Sequence, residues 1–282
     1  ISYLGSACGK NKYEPRNKII LLLLCRQYKN YYKEILFKCG AFKLLKPEEK
    51  TYDTELKRIY SKLKPEINSP NDFKTIEEEI TKKLKSENKE IKEEDINYAS
   101  EFLKNSFKKD CGINNEQRVI YKKEYKKGNN KMCYYSENGW TIRGFHDASQ
   151  NDVVIEIKTR MKKENVRKNE YDLYQLFGYL LAMNKTKGKI VQKFNEFIYD
   201  SDIESSIEYG LVDIQQEPWK TKFDIFKSEI NEFFSTILFY STRTFEIETV
   251  IKSNEYPIAV FDIDGIPHNV NPRYEKLVKT LT

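Results

Sequence analysis

Between Gly144 and Arg160 the chain reads GFHDASQNDVVIEIKTR. Asp147, Glu156 and Lys158 fall within this stretch, the last two in an apolar run of strand-like composition. Side chains alternate faces along a strand. Val153, Ile155 and Ile157 therefore point one way, and Val154, Glu156 and Lys158 the other. A Glu and a Lys two apart are ordinarily a solvated strand face. Here SQND reads as a turn, so its flanking segments form a hairpin that carries Asp147 toward Glu156. Two carboxylates held together repel unless a proton or a cation lies between them. Hard oxygen ligands around an open position suit Mg²⁺. Lys158, on the Glu156 face, then reaches a water on the ion or a phosphate. Positive charge nearby would lower its pKa, the direction a general base requires.

Two further groups share this chemistry. In EYDLYQLFGYLLAMN, Gln175 and Tyr179 are four apart and so share a helix face. Leucines crowd the rest of that helix, and a buried Gln needs partners. In GINNEQ, Glu116 lies on a helix four residues after Gly112. Taken singly, each has a plain structural reading, as a core amide or a surface carboxylate.

As an ordered set, these residues resemble the PD-(D/E)XK nuclease superfamily, within it the RecB, lambda-exonuclease and YqaJ-like branch. Gly112 and Glu116 match its upstream Gly-x-x-x-Glu. Asp147 in GFHD matches its strand-end Asp, and Glu156-Ile157-Lys158 its Glu-x-Lys. Gln175 and Tyr179 match its Gln-x-x-x-Tyr helix. The match covers about residues 111–185. It departs from the usual pattern at His146 and Ala148, where Pro or Ser and Gly are common; His146 is read as structural. The resemblance implies a restriction-endonuclease-like core, a mixed central β-sheet flanked by helices, in the α/β (α+β) class. It implies Mg²⁺, with Mn²⁺ as a substitute, held by Glu116, Asp147, Glu156 and the Ile157 carbonyl. Lys158 would activate water, with Gln175 and Tyr179 orienting it. The implied reaction is hydrolysis of DNA phosphodiesters by an exonuclease acting from duplex ends. The alternative on the same core is a site- or structure-specific endonuclease. DNA is the expected partner, with a single-strand annealing protein as a further one. SACGKNKY near the N-terminus resembles the start of YqaJ-like enzymes, so Ser6, Lys10 and Lys12 are candidate phosphate contacts, as is Arg160. Gly5 and Gly9 would let that turn approach an anion closely.

The elements that must position these groups follow from periodicity. Residues 17–38 read as one helix. Residues 46–110 form a Lys-, Glu-, Asn- and Ile-rich helical elaboration, with Gly128 ending the helical region. Three strands with tight turns follow over 131–160, then the helix at 170–184, strands over 188–199 and 209–217, and a long helix over 219–240. Helices around a β-meander indicate a mixed sheet. The expected segments are 1–45, a basic N-terminal part; 46–110, the elaboration; 111–240, the core; and 241–282, a C-terminal extension.

The chain has 282 residues, 39% of them hydrophobic, and a formal charge of +6. Residues 1–50 hold 11 Lys and Arg against 4 Glu, so the remainder is close to neutral. That basic segment suits phosphates. The five cysteines are Cys8, Cys25, Cys39, Cys111 and Cys133. None is within three residues of another, which excludes a zinc ribbon and suits free thiols in a reducing cytosol or nucleus. All precede Gly144, so no iron–sulfur cluster is expected. The apolar run Ile19 to Cys25 is too short to span a bilayer. The chain opens on Ile, as a trimmed one would, and its Lys/Asn/Ile/Tyr bias hints at an AT-rich viral or phage genome. One rival motif is PIAVFDIDG, which resembles the start of haloacid-dehalogenase-like phosphatases, with Asp262 and Asp264 as nucleophile and acid. Only 17 residues follow Gly265, too few for that fold's later motifs.

Overall fold

A computed structural model describes residues 1–11, 14–45, 78, 81–82, 86, 116–117, 119–128, 131–160, 170–194, 206–208, 210–241, 247, 250–251 and 253–282. Gly112, Lys12 and nearly all of the expected 46–110 elaboration lie outside these residues. In chain order the first elements are α1 (Leu4–Ala7), α2 (Arg16–Gln27), α3 (Lys29–Lys38) and β1 (Phe42–Leu44). Then come β2 (Lys126–Lys127), β3 (Cys133–Glu137), β4 (Trp140–Gly144), β5 (Ala148–Gln150) and β6 (Val153–Arg160). After them lie α4 (Glu170–Met183), β7 (Lys187–Phe194), β8 (Ser206–Glu208), β9 (Val212–Asp213) and α5 (Trp219–Ser241). The last are β10 (Ala259–Phe261), β11 (Pro267–Val270) and α6 (Glu275–Leu281). The fold is mixed α/β, with helices on mixed and antiparallel sheets. Among the described residues, no helix is long and apolar enough to cross a membrane.

The chain forms two compact units that interleave in sequence. The first comprises residues 1–20, 112–196 and 200–245. Its main sheet runs β2-β5-β6-β7-β8, with β9 also paired to β7. β6 and β7 are parallel and joined through α4, whereas β5 and β6 form an antiparallel hairpin. A parallel pair needs such a crossover, because a short turn only reverses the chain. The run VVIEI suits a strand covered on both faces. On one face Val154 and Ile190 pack with Leu176, Phe177 and Leu180 of α4 and Phe226 of α5. On the other, Ile155, Ile157 and Val191 pack with Val119, Ile120 and Tyr125.

Several expected boundaries shift. β3 and β4 form a two-stranded sheet of their own rather than joining the main one. Their turn, Asn138-Gly139, has φ of 48° and 80°, the left-handed pair a two-residue hairpin requires. The helix expected over 17–38 breaks at Tyr28, whose φ of −123° and ψ of 52° are not helical. Gly128 does not end a helix. The helical turns before it close at Glu124, which takes φ 53°, and Gly128 follows β2.

The second unit comprises residues 21–111, 197–199 and 246–282. Here β1 lies parallel to β10, and β10 antiparallel to β11. Residues 42–44 and the C-terminal segment thus share one sheet. Phe37, Phe42 and Phe261 knit it together, with ring centroids 4.8–5.4 Å apart.

Candidate functional site

The site begins with a backbone clamp. Asp147 lies just ahead of β5, not at the end of β4. The Gly128 N–H donates to the Asp147 carbonyl at 2.8 Å. A Cβ on Gly128 would sit 2.0 Å from the His146 carbonyl oxygen, so only glycine admits this approach. The β5–β6 ladder stops at Ala148 and Ile155. Beyond it the Ile157 N–H donates to Asp147 Oδ2 at 2.7 Å. In a strand, one residue's N–H and C=O face the same edge, so the Ile157 carbonyl opens beside the Asp147 carboxylate.

Glu156 is fully buried. Lys158 Nζ lies 2.5 Å from its Oε1. That contact is a charge-assisted hydrogen bond as well as an ion pair, whereas Oε2 is buried without a hydrogen-bond partner. Burial, partly offset by Lys158 and reinforced by Asp147, pushes the Glu156 carboxyl up to about 8. Burial also raises Asp147 to about 6, against the Ile157 N–H and Lys158, which pull it down. A lysine beside positive charge would be lowered; Lys158 faces carboxylates instead. Burial acts to lower its pKa, but the Glu156, Asp172 and Asp147 carboxylates outweigh burial and the net shift is upward. The reason is local charge: three carboxylates surround this ammonium. Without a cation beside it, it stays protonated.

α4 supplies the opposing wall. Lys158 Nζ donates to Gln175 Oε1 at 2.7 Å. Tyr179, 2% exposed, donates its hydroxyl to the Phe145 carbonyl at 2.6 Å. It also hydrogen-bonds Gln175 and feels Glu156 and Asp147. Gln175 and Tyr179 therefore hold both the lysine and the segment leading to Asp147. Glu116, half-buried, is raised first by burial and then by Glu156, which brings it into the same electrostatic cluster.

Two residues escaped sequence reading. Asp172, 1% exposed, acts electrostatically on both Glu156 and Lys158. Its signal was there: 172, 175 and 179 form one polar stripe on an otherwise apolar helix. Gln192 is fully buried and is the β7 partner of Lys158 in register. Nothing in GKIVQKF distinguishes it from a polar strand residue facing water.

Two of the candidate phosphate contacts, Ser6 and Lys10, are engaged within the protein. Ser6 is buried, and its Oγ accepts from Asn11. Lys10 donates to Glu229 at 2.8 Å. Gly5 is explained by packing, since a Cβ there would meet Tyr171 Cβ at 2.4 Å. Lys12 and the Arg160 side chain lie outside the described residues. His146 has its pKa lowered by burial, and its Nδ1 is buried without a hydrogen-bond partner. The rival Asp262 is engaged by its own hairpin. Its Oδ1 accepts from the Ile266 N–H at 2.6 Å, and its Oδ2 lies 3.4 Å from His268 Nε2.

The donor set fits a hard cation. It offers two carboxylates raised by burial, one orphaned buried oxygen and an adjacent carbonyl. Among the described residues, no group of three or more His, Cys, Asp or Glu side chains is placed to hold a metal ion. No protein-family model matches the chain, and no curated protein matches it. Among solved structures, one titled "Crystal structure of SSO0001" matches with 17% identity over 44% of this chain and 56% of that one. The TM-score is 0.31, below the overlap at which two chains are judged to share a fold.

Proposed function

We propose that this chain is a divalent-metal-dependent nuclease built on a restriction-endonuclease-like core. One observation carries the reading: Glu156 is wholly buried with one carboxylate oxygen left without a hydrogen-bond partner, beside Asp147 and a lysine that Gln175 also holds. A core built for stability alone gains nothing from several carboxyl groups crowded around one ammonium, because an apolar residue costs less to bury there. Asp147, Glu156 and the Ile157 carbonyl would hold Mg²⁺ or Mn²⁺, with Glu116 behind them. Such an ion, when bound, supplies Lewis acidity toward a phosphoryl oxygen and acidifies water.

The chain's own residues do the rest. Asp147 is held at Oδ2 by the Ile157 N–H, which leaves its other oxygen to face the substrate. Lys158 presents an ammonium to the phosphate or the attacking water. Once a cation neutralises the surrounding carboxylates, the balance that raises its pKa reverses, which frees it to accept a proton. Gln175 fixes its position, and Tyr179 ties that helix to the Asp147 loop. DNA is the proposed substrate and exonuclease action from duplex ends the proposed mode, with a single-strand annealing protein as a companion. These follow from the motif resemblance. Phosphatase chemistry at Asp262 is disfavoured by the engagement of both its oxygens.

The test incubates linear and circular duplexes of one sequence with Mg²⁺. Loss of the linear form alone supports an exonuclease, and nicking or linearisation of circles an endonuclease. Intact substrate of both kinds, with Mg²⁺ or Mn²⁺, would overturn the reading.

A further inference from the structure

A second recess lies on the same sheet face as Glu156. It is a cavity of about 290 Å³ among α4, α5, β7 and β9. Its apolar lining is Leu173, Ile190, Val212, Trp219 and Ile225. Ile190 and Val212 are buried and form the floor, whereas Ile225 is 48% exposed and marks the mouth. Tyr174, Gly210, two lysines, Lys10 and Lys222, and one acid, Glu170, complete the lining. Ile190 is the register partner of Glu156. The floor therefore lies on the strand next to that of Glu156, the two backbones about 4.8 Å apart.

We propose that this cavity receives an unpaired nucleobase from the strand whose phosphate lies at Glu156 and Lys158. The strand comes from the nuclease reading above. Four observations favour a base over other occupants. The volume equals about ten waters, room for one planar body of about ten non-hydrogen atoms. Trp219 offers an aromatic wall, and stacking on such a wall is worth roughly tenfold or more in affinity. Lys222 lies 5.1 Å from the centre of that ring and is exposed, which places a cation at the mouth for the attached phosphate. The inner polar groups are already satisfied. Glu229 accepts from Lys10 at 2.8 Å and from Tyr174 at 2.6 Å. The interior thus asks for a flat, largely neutral ligand, with its charge left at the rim. Nucleotides along a strand step by about 3.4 Å, so a base next to the scissile phosphate reaches the neighbouring β-strand. The pocket would make frayed or single-stranded ends better substrates than a closed duplex.

The experiment binds a single-stranded oligonucleotide carrying 2-aminopurine to the full chain in chelator, where no cleavage occurs. The expected result is a saturable change in 2-aminopurine emission with quenching of Trp219. A duplex carrying the same base in its interior should give little change. Ile225→Tyr narrows the exposed mouth, and Lys222→Ala removes the rim cation; each should weaken binding about tenfold. Lys222 is a surface residue, so its variant remains informative if Ile225→Tyr misfolds. Unchanged affinity in Lys222→Ala together with unchanged emission in Trp219→Phe would overturn the proposal, as would equal responses from single strand and duplex interior. The readout is independent of hydrolysis. Base binding without cleavage in Mg²⁺ would sink the nuclease reading alone, and cleavage without this binding would sink the pocket alone.

Discussion

Two polar clusters flank α4, and they are built in opposite ways. In the Lys10–Glu229–Tyr174 cluster, each Glu229 oxygen accepts one hydrogen bond, from an ammonium and from a phenol. In the Asp147–Glu156–Lys158 cluster, one lysine faces several carboxylates, and Glu156 meets it through Oε1 while Oε2 accepts nothing. The first is complete as it stands. The second is short of positive charge and of donors. Burial alone does not separate structural from functional polar groups; whether the buried charges are balanced does.

The contrast breaks or sharpens under substitution. The largest effect is expected from Lys158→Ala, which should slow Mg²⁺-dependent cleavage by 100-fold or more, roughly 3 kcal/mol of barrier, with circular dichroism unchanged. Retention of full activity would show that the deficient cluster is not a catalytic one. Next, Gln175→Ala should lower the rate about tenfold, the usual cost of losing a supporting partner. Its pH–rate profile should shift too, because the lysine it positions is left to carboxylates alone. An unmoved profile with an unmoved rate would remove Gln175 from the site.

Stability should separate the clusters in the other direction. Glu229→Gln loses charge-assisted bonds and should cost about 1.5–3 kcal/mol in chemical denaturation. Glu156→Gln mimics the protonated form that burial already favours, so it should cost within about 1 kcal/mol at pH 7. Equal losses would erase the distinction.

The last contrast is one of pH. Asp147 and Glu156 have folded pKa values near 6 and 8, above their ordinary 3.8 and 4.5. The folded state therefore holds more protons than the unfolded state across that interval. Without a divalent ion, stability should fall as pH rises from about 4 to about 8. Mg²⁺ should raise the Tm more at pH 8 than at pH 6, because the proton no longer competes for the carboxylates. Glu156→Gln should flatten both trends. A Tm that rises with pH in chelator would contradict the upward shifts.

Parts of this were legible in the chain. The hairpin around SQND, the crossover helix and the central strand follow from alternation and turn chemistry, because each involves neighbours in sequence. The separation of β3–β4 from the main sheet was not, since strand composition does not say which edge a strand joins. Gly128 was misjudged for a related reason. Its role is a close approach to His146, a residue far along the chain, and a helix-end reading sees only neighbours. The upward shift of Lys158 in the absence of a cation was not legible, because Asp172 was not counted and a lone lysine surrounded by carboxylates behaves unlike one beside a cation. That Lys10 meets Glu229 was not legible either, because it depends on α1 packing against α4.

Local periodicity therefore determined which side chains share a face: Glu156 with Lys158 on a strand, Gln175 with Tyr179 on a helix. Backbone geometry over a few residues sets those directions whatever surrounds them. Only the tertiary structure decided that these two faces oppose each other, that the Ile157 N–H is left for Asp147, and that Gln192 is buried beside Lys158. Those outcomes depend on crossover and packing between residues tens of positions apart. Whether a buried charge meets its partner is fixed there, and it is the meeting that separates a satisfied core from a site that needs a ligand.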